Sequence, residues 1–376
     1  MNEAATPLRF YDNRQKYLAF VNSCNEKTVV AQRAALELNH IRPRPPAIRL
    51  FDAGMGDATV LARLMRITHG RWPTVPLLVV AKEISLEDVR LGLDKMADRF
   101  LEHPPTVLVL TNLHYSDASR LMPQDGPSAA ALNWIEVRLK GQTSHRYAEQ
   151  IEELSSALDF GWQTKPSAKS GNPVYVRPSV LVLYREDQQF LLDRVIPQQG
   201  RTLESYDLIV ASQPWRARMP ARFKAERILA PLARSLAAGG RLLVIQSYGR
   251  DPALEIVQKL WPGENPFQVD RHELLAGLTS ALGPDASQFS LTAPPDEESL
   301  FRYRMHTLPT AIGDRIGTST LFAAWNAAIY VNQIEDERLD EVVANNAYLD
   351  ATQAVLRKHD GLWFNDEAFV VVRHDA

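Results

Sequence analysis

The residues with the most chemical content lie in the run Leu50-Phe51-Asp52-Ala53-Gly54-Met55-Gly56-Asp57-Ala58. Glycine at 54 and 56 lets the backbone turn sharply and removes side chains where a ligand must approach. A dinucleotide site would need G-x-G-x-x-G, with a pyrophosphate against the helix N-terminus that follows. Here Thr59 stands at the third glycine's place. Asp52, two positions before the first glycine, suits a cationic ligand better than a diphosphate, because like charges repel. Three more polar clusters close apolar runs: Lys82-Glu83-Ile84-Ser85, then Asn112-Leu113-His114-Tyr115-Ser116-Asp117, then Ser212-Gln213-Pro214-Trp215.

These groups can meet only if the runs before them are neighbouring strands that end at one edge. Residues 48–51, 77–81, 106–110, 208–211 and 242–245 are short and apolar, with helical patterns between them at about 58–69, 86–100 and 221–236. Short continuous apolar runs separated by helices imply a parallel sheet covered on both faces. In such sheets ligands bind beyond the carboxyl ends of the strands. A helix is expected over 10–41, with Asn25 as a cap within it, and the Pro-rich stretch 42–46 stops it.

The stretch Asp52-Ala53-Gly54-Met55-Gly56 resembles motif I of the class I S-adenosylmethionine-dependent methyltransferases, an acidic residue followed by G-x-G at the end of the first strand. The family's third glycine would fall at Ala58. The resemblance implies an α/β, Rossmann-like, seven-stranded, mostly parallel sheet with helices on both faces and its last strand antiparallel. It implies S-adenosyl-L-methionine as cofactor, held by Asp52, Gly54, Met55 and Gly56, with the methionine ammonium as the cation. It places Glu83, beside Ile84, at the carboxylate that accepts from both ribose hydroxyls, a task suited to two acceptor oxygens. It places either Asn112 or Asp117 against the adenine amine. Ser212, Gln213, Pro214 and Trp215 partly resemble motif IV of the amino-methylating members, with Gln213 in place of the first proline. On that reading Ser212 lies by the cofactor, while Gln213, Pro214 and Trp215 meet an amine acceptor, Trp215 by stacking. Otherwise Trp215 is a buried strand-end residue. Gly239 resembles the left-handed residue that ends the helix before the fifth strand.

Two stretches interrupt the alternation. Residues 119–204 form an α+β insertion between strands 3 and 4, containing a strand at Trp134-Ile135-Glu136-Val137. A hairpin is expected from 180–184 and 190–192, and the insertion could serve as a lid, a substrate subdomain or a homodimer surface. Residues 313–361 read as a helical cap between late strands at 300–305 and 368–372. Its aromatics Phe322, Trp325, Tyr330 and Tyr348 would be core, or a cation–π cage. The core is then 47–118, 205–312 and 362–376, after an N-terminal helical segment 1–46 whose Tyr17, Phe20 and Asn22 could close over the cofactor.

The 376 residues carry a net charge of -3, which gives no general pull toward nucleic acid or anionic membrane. The single cysteine, Cys24, excludes an intrachain disulfide and a thiolate metal cluster. The nine histidines show no H-x-x-x-H pair, so no zinc site is expected. Residues 1–11 show no signal-peptide pattern and no run of about 18 apolar residues spans a bilayer, so a cytoplasmic enzyme is expected. The expected reaction is methyl transfer to a small-molecule acceptor, in one reading at nitrogen. His114 and Tyr115 are catalytic candidates by location alone. The alternatives are a non-catalytic cofactor-binding scaffold or an aminopropyl transferase-like enzyme.

Overall fold

The apolar runs become adjacent strands because each is apolar on both sides and can only be buried between two helical layers. A computed structural model of the chain describes residues 14–167, 173–201, 205–306 and 316–375. In chain order its strands are β1 (Ile48–Asp52), β2 (Leu77–Lys82), β3 (Thr106–Thr111), β4 (Asn133–Leu139), β5 (Thr164–Pro166), β6 (Pro173–Tyr175), β7 (Ser179–Arg185), β8 (Tyr206–Ser212), β9 (Leu236–Ser247), β10 (Phe289–Ser290), β11 (Leu300–Arg304) and β12 (Trp363–Arg373). Ten of them form one sheet in the order β10-β12-β9-β8-β1-β2-β3-β7-β4, with β11 also pairing β12. From β3 through β2, β1 and β8 to β9 the strands are parallel, and β12 runs antiparallel to β9.

The expected seven-stranded sheet is therefore a ten-stranded one, and the three additions are β4 and β7 of the insertion and the short β10 beside β12. Within the insertion, β7 pairs antiparallel with β3, and β4 pairs parallel with β7 at the sheet's outer edge. No hairpin joins 180–184 to 190–192, because Gln189–Leu192 is a helical turn. β7 is buried at every position, which a two-stranded surface hairpin cannot achieve. Gly239 has φ +69°, as expected of a left-handed residue, but it lies within β9 beside an irregularity in the β8–β9 pairing, after a helix that ends at Arg234.

One face of the sheet packs Leu50, Val79 and Leu108 under α2 (Glu26–Glu37) and α3 (Thr59–Arg71). The other packs Phe51, Val80 and Val109 under helices that contribute Leu232 and Leu278. A third cluster joins the helical cap, through Trp325 and Tyr348, to Phe20 of α1 (Arg14–Ser23).

The helix expected over 10–41 is two helices, and residues 1–13 lie outside the described ones. The break falls where Cys24 bridges to Met305 and the Asn25 amide donates to the Arg304 carbonyl at 3.0 Å. Asn25 Oδ1 accepts from the Arg304 amide at 2.7 Å, so its side chain makes no helix cap. Backbone pairing to β11 outcompetes helix continuation at that point.

Candidate functional site

The glycine loop leaves β1 between the ends of β8 and β2. The Ala53 amide donates to the Val210 carbonyl at 2.8 Å, and the Met55 amide to the Lys82 carbonyl at 3.0 Å. Gly56 needs its glycine: φ is +53°, and a Cβ there would come within 3.0 Å of the Tyr17 hydroxyl. Ala58, at the family's third glycine, is also left-handed at 59°, a conformation that costs a non-glycine residue about 1–2 kcal/mol.

Both expected carboxylates face this loop. Asp52 Oδ1 accepts from the Gly54 amide at 3.2 Å, and the side chain is buried. Burial raises its pKa to about 6, although the Gly54 amide and the Lys27 ammonium pull it down. Glu83 Oε2 accepts from the Gly56 amide at 2.9 Å, while Oε1 accepts from the Ile84 and Ser85 amides at 2.7 and 2.8 Å. Burial, with Asp88 nearby, still holds the Glu83 carboxyl above its ordinary range.

The N-terminal helices reach the same loop. The Asp57 amide donates to the Tyr17 hydroxyl at 3.4 Å. Lys27 lies 5.6 Å from the Tyr17 ring centroid and 3.2 Å from Glu26. Burial alone would lower the Lys27 pKa, but Glu26, Tyr17, Tyr330 and Asp57 outweigh it and hold the ammonium charged. Of the other residues expected to close over the cofactor, Phe20 stacks on Tyr330 in the third cluster and Asn22 donates to the Leu18 carbonyl of its own helix. A cleft of about 480 Å³, lined in part by Asn22, Lys27, Asp57, Arg63 and Lys95, lies beside the loop.

Beyond β3 the structure separates the two adenine candidates. Asn112 is buried, with its Nδ2 donating to the Gly161 and Arg177 carbonyls at 3.0 Å and its Oδ1 accepting from the Ser179 amide at 2.8 Å. All three bonds go to the insertion, so the Asn112 amide is buried against residues 161–179. Asp117 sits on the helical turn Tyr115–Ala118, its carboxyl raised by burial and drawn back by Ser116, His114 and Gln124. The His114 ring lies 4.8 Å from that of Tyr175. Tyr115 links the ends of β8 and β2, donating from its hydroxyl to the Pro214 carbonyl at 3.0 Å, with the Lys82 ammonium 4.6 Å from its ring centroid.

The residues after β8 do not face a common acceptor. Trp215 is buried in the core, and its Nε1 donates to Gln246 Oε1 at 3.0 Å, so it is not free to stack on a ligand. Gln213, at φ +50°, turns toward β9 and β12, its Nε2 donating to Ser247 Oγ at 3.0 Å and its Oε1 accepting from the Ser247 amide. Pro214 is buried, and Ser212 keeps its place opposite the loop, its carbonyl 3.7 Å from where a Gly54 Cβ would lie. The cap aromatics pack on one another, Trp325 on Tyr348 at 5.4 Å, and both are buried as core; Phe322, beside them, is about half exposed.

Lys27, Lys82 and Trp162 escaped sequence reasoning. Trp162 closes the site from the insertion, its Nε1 donating to the Glu83 carbonyl at 2.8 Å. No local pattern marks these three; only β7's continuous apolar run hinted that the insertion enters the sheet. Among the described residues no three His, Cys, Asp or Glu side chains form a metal site, and no helix is long and apolar enough to cross a membrane.

No protein-family model matches the chain. No curated protein matches it either. Among solved structures, StiE O-MT is 9% identical, with 91% of this chain and 73% of that chain covered at a TM-score of 0.35. A geranyl diphosphate methyltransferase solved with GPP and sinefungin is 12% identical, with coverages of 91% and 78% and a TM-score of 0.32. The plantazolicin methyltransferase BpumL, solved with SAH, is 8% identical, with coverages of 97% and 92% and a TM-score of 0.33. These neighbours are methyltransferases by name.

Proposed function

We propose that the chain binds S-adenosylmethionine across the Gly54–Gly56 loop and transfers its methyl group to a small-molecule acceptor. The observation that carries this reading is the pair of carboxylates on one loop, Asp52 bracing Gly54 and Glu83 bracing Gly56. Asp52 would meet the ligand's ammonium. Glu83 would meet the ribose, since among the described residues its Oε2 accepts one bond, from the Gly56 amide. With Asn112 engaged elsewhere, Asp117 is the better partner for an adenine amine. Met55, Ile84 and Ser212 line the remaining approach. Bound there, the cofactor would supply an electrophilic methyl on a sulfonium.

The protein's part in such a displacement is alignment and exclusion of water. Tyr17 packs against the loop at Asp57, and Trp162 against the end of β2 at Glu83. Tyr115 fixes the β8 loop against the end of β3. Because its hydroxyl proton is donated to Pro214, Tyr115 serves positioning better than proton transfer.

Lys27 favours a second reading. Its ammonium already attracts Asp52, so the loop has an internal cation, as a non-catalytic scaffold could. Calorimetry with S-adenosylmethionine and S-adenosylhomocysteine tests the cofactor site. Binding of both, lost in Glu83→Ala, supports that site, and methyl transfer to an acceptor then separates the enzyme from a cofactor-binding scaffold; no binding of either at millimolar concentration, with Lys27→Met equally silent, removes the cofactor reading. Product analysis distinguishes methyl from aminopropyl transfer.

A further inference from the structure

Among the described residues the outer edge of the sheet is β4, which there pairs only with β7. The Asn133 amide donates inward to the Pro178 carbonyl, so in a parallel pair the backbone groups of residues 133, 135, 137 and 139 face β7. Those of Trp134, Glu136 and Arg138 face outward. At Lys140 the edge is closed, because the Gln150 side chain takes both its amide (2.9 Å) and its carbonyl (2.8 Å). A short stretch of open edge is left, three residues that present donors and acceptors on one line.

Open edges invite pairing, and charged side chains ordinarily blunt them. Here the charges have opposite signs two residues apart: Glu136 and Arg138 are exposed on the same face, 3.2 Å from each other. That pattern complements its own copy in one antiparallel register. With a two-fold axis at Val137, Glu136 lies opposite Arg138 of the second copy and Arg138 opposite its Glu136, both as hydrogen-bonded pairs. Each such pair exchanges two backbone hydrogen bonds, and Val137 meets itself as a non-hydrogen-bonded pair. Moving the axis to residue 136 would set Glu136 against Glu136, and like charges directly opposite are destabilising. The Leu132 amide, bonded to the Ala129 carbonyl, and the closed end at Lys140 fit a ladder of this length. Beside it, Lys140 lies 3.8 Å from Glu186, which leads into the turn whose Phe190 is 98% exposed.

We infer that β4 is a homodimer interface, pairing with β4 of a second copy of this chain about a two-fold axis at Val137 to give one continuous sheet. The interface buries the open edge, replaces the intrachain Glu136–Arg138 pair by two cross-strand ones, and leaves the loop at Gly54–Gly56 free. It does not depend on what that loop binds.

Sedimentation velocity over a concentration series tests it. The wild type should show twice the mass of one chain. Glu136→Arg and Arg138→Glu should each weaken the dimer at least about tenfold, since two attractive pairs become repulsive. The double variant, which swaps the charges, should restore it. Val137→Cys should give a disulfide-linked dimer under mild oxidation, because non-hydrogen-bonded antiparallel pairs bring Cα atoms to about 4.5 Å; Ile135→Cys, which does not face itself, should not. A wild type monomeric at every concentration overturns the inference. So does a dimer indifferent to the single reversals, or one that Val137→Cys fails to trap.

Discussion

The Gly56 amide donates to Glu83 Oε2 across 2.9 Å, tying the loop after the first strand to the end of the second. The same carboxylate also takes the Ile84 and Ser85 amides, so one side chain sets the shape of two loops. Hydrogen bonds to a charged group are each worth about 1.5–3 kcal/mol. Glu83→Gln keeps one acceptor oxygen and loses the charge. It should cost about 2 kcal/mol in denaturant unfolding and weaken S-adenosylmethionine binding by at least about tenfold. Full affinity in that variant would remove Glu83 from the ligand site.

Asp52 gives the binding a pH dependence. Its carboxyl titrates at about 6 in the free protein, because burial disfavours the charged form. A cationic ligand needs the carboxylate and pulls its pKa down, so binding below pH 6 must first expel a proton. Affinity should fall as pH drops through 6, by up to about tenfold per unit, and be flat well above it. Calorimetry on either side of pH 6 checks the sign. Asp52→Asn should bind weakly at neutral pH and lose this dependence.

Trp215 separates core from acceptor site. Trp215→Ala should cost about 3–5 kcal/mol through the cavity it leaves. Trp215→Phe loses the bond to Gln246 and part of the ring beside Lys224, about 1–3 kcal/mol, and should leave cofactor affinity unchanged. If Trp215→Phe abolished turnover while stability stayed within that loss, the core assignment would be wrong.

Asn112 should behave as a clamp on the insertion. Its three bonds reach Gly161, Arg177 and Ser179, so Asn112→Ala should destabilise the protein by about 2–4 kcal/mol. Amide exchange should rise at Ser179 and around Trp162, which also abuts Glu83. A drop in ligand affinity without added exchange there would return Asn112 to the binding site.

The sequence by itself determined the parallel strands, the glycine loop and its two carboxylates. Each is encoded locally: an apolar run between turn signals has only a two-sided burial open to it, and Gly56 has a φ that other residues avoid. Only the tertiary structure decided which polar groups remained available. Asn112 and Trp215 sit at strand ends just as Asp52 and Glu83 do in the sequence, yet the insertion and β9 claim them. Lys27 and Tyr17 arrive from a helix pair whose bend is set by β11, far along the chain. The insertion's strands joined the main sheet because β3 offered an unpaired edge, and no local residue pattern states which edge a strand will find. Distant neighbours assign the polar groups, whereas periodicity and glycine positions build the frame that holds them.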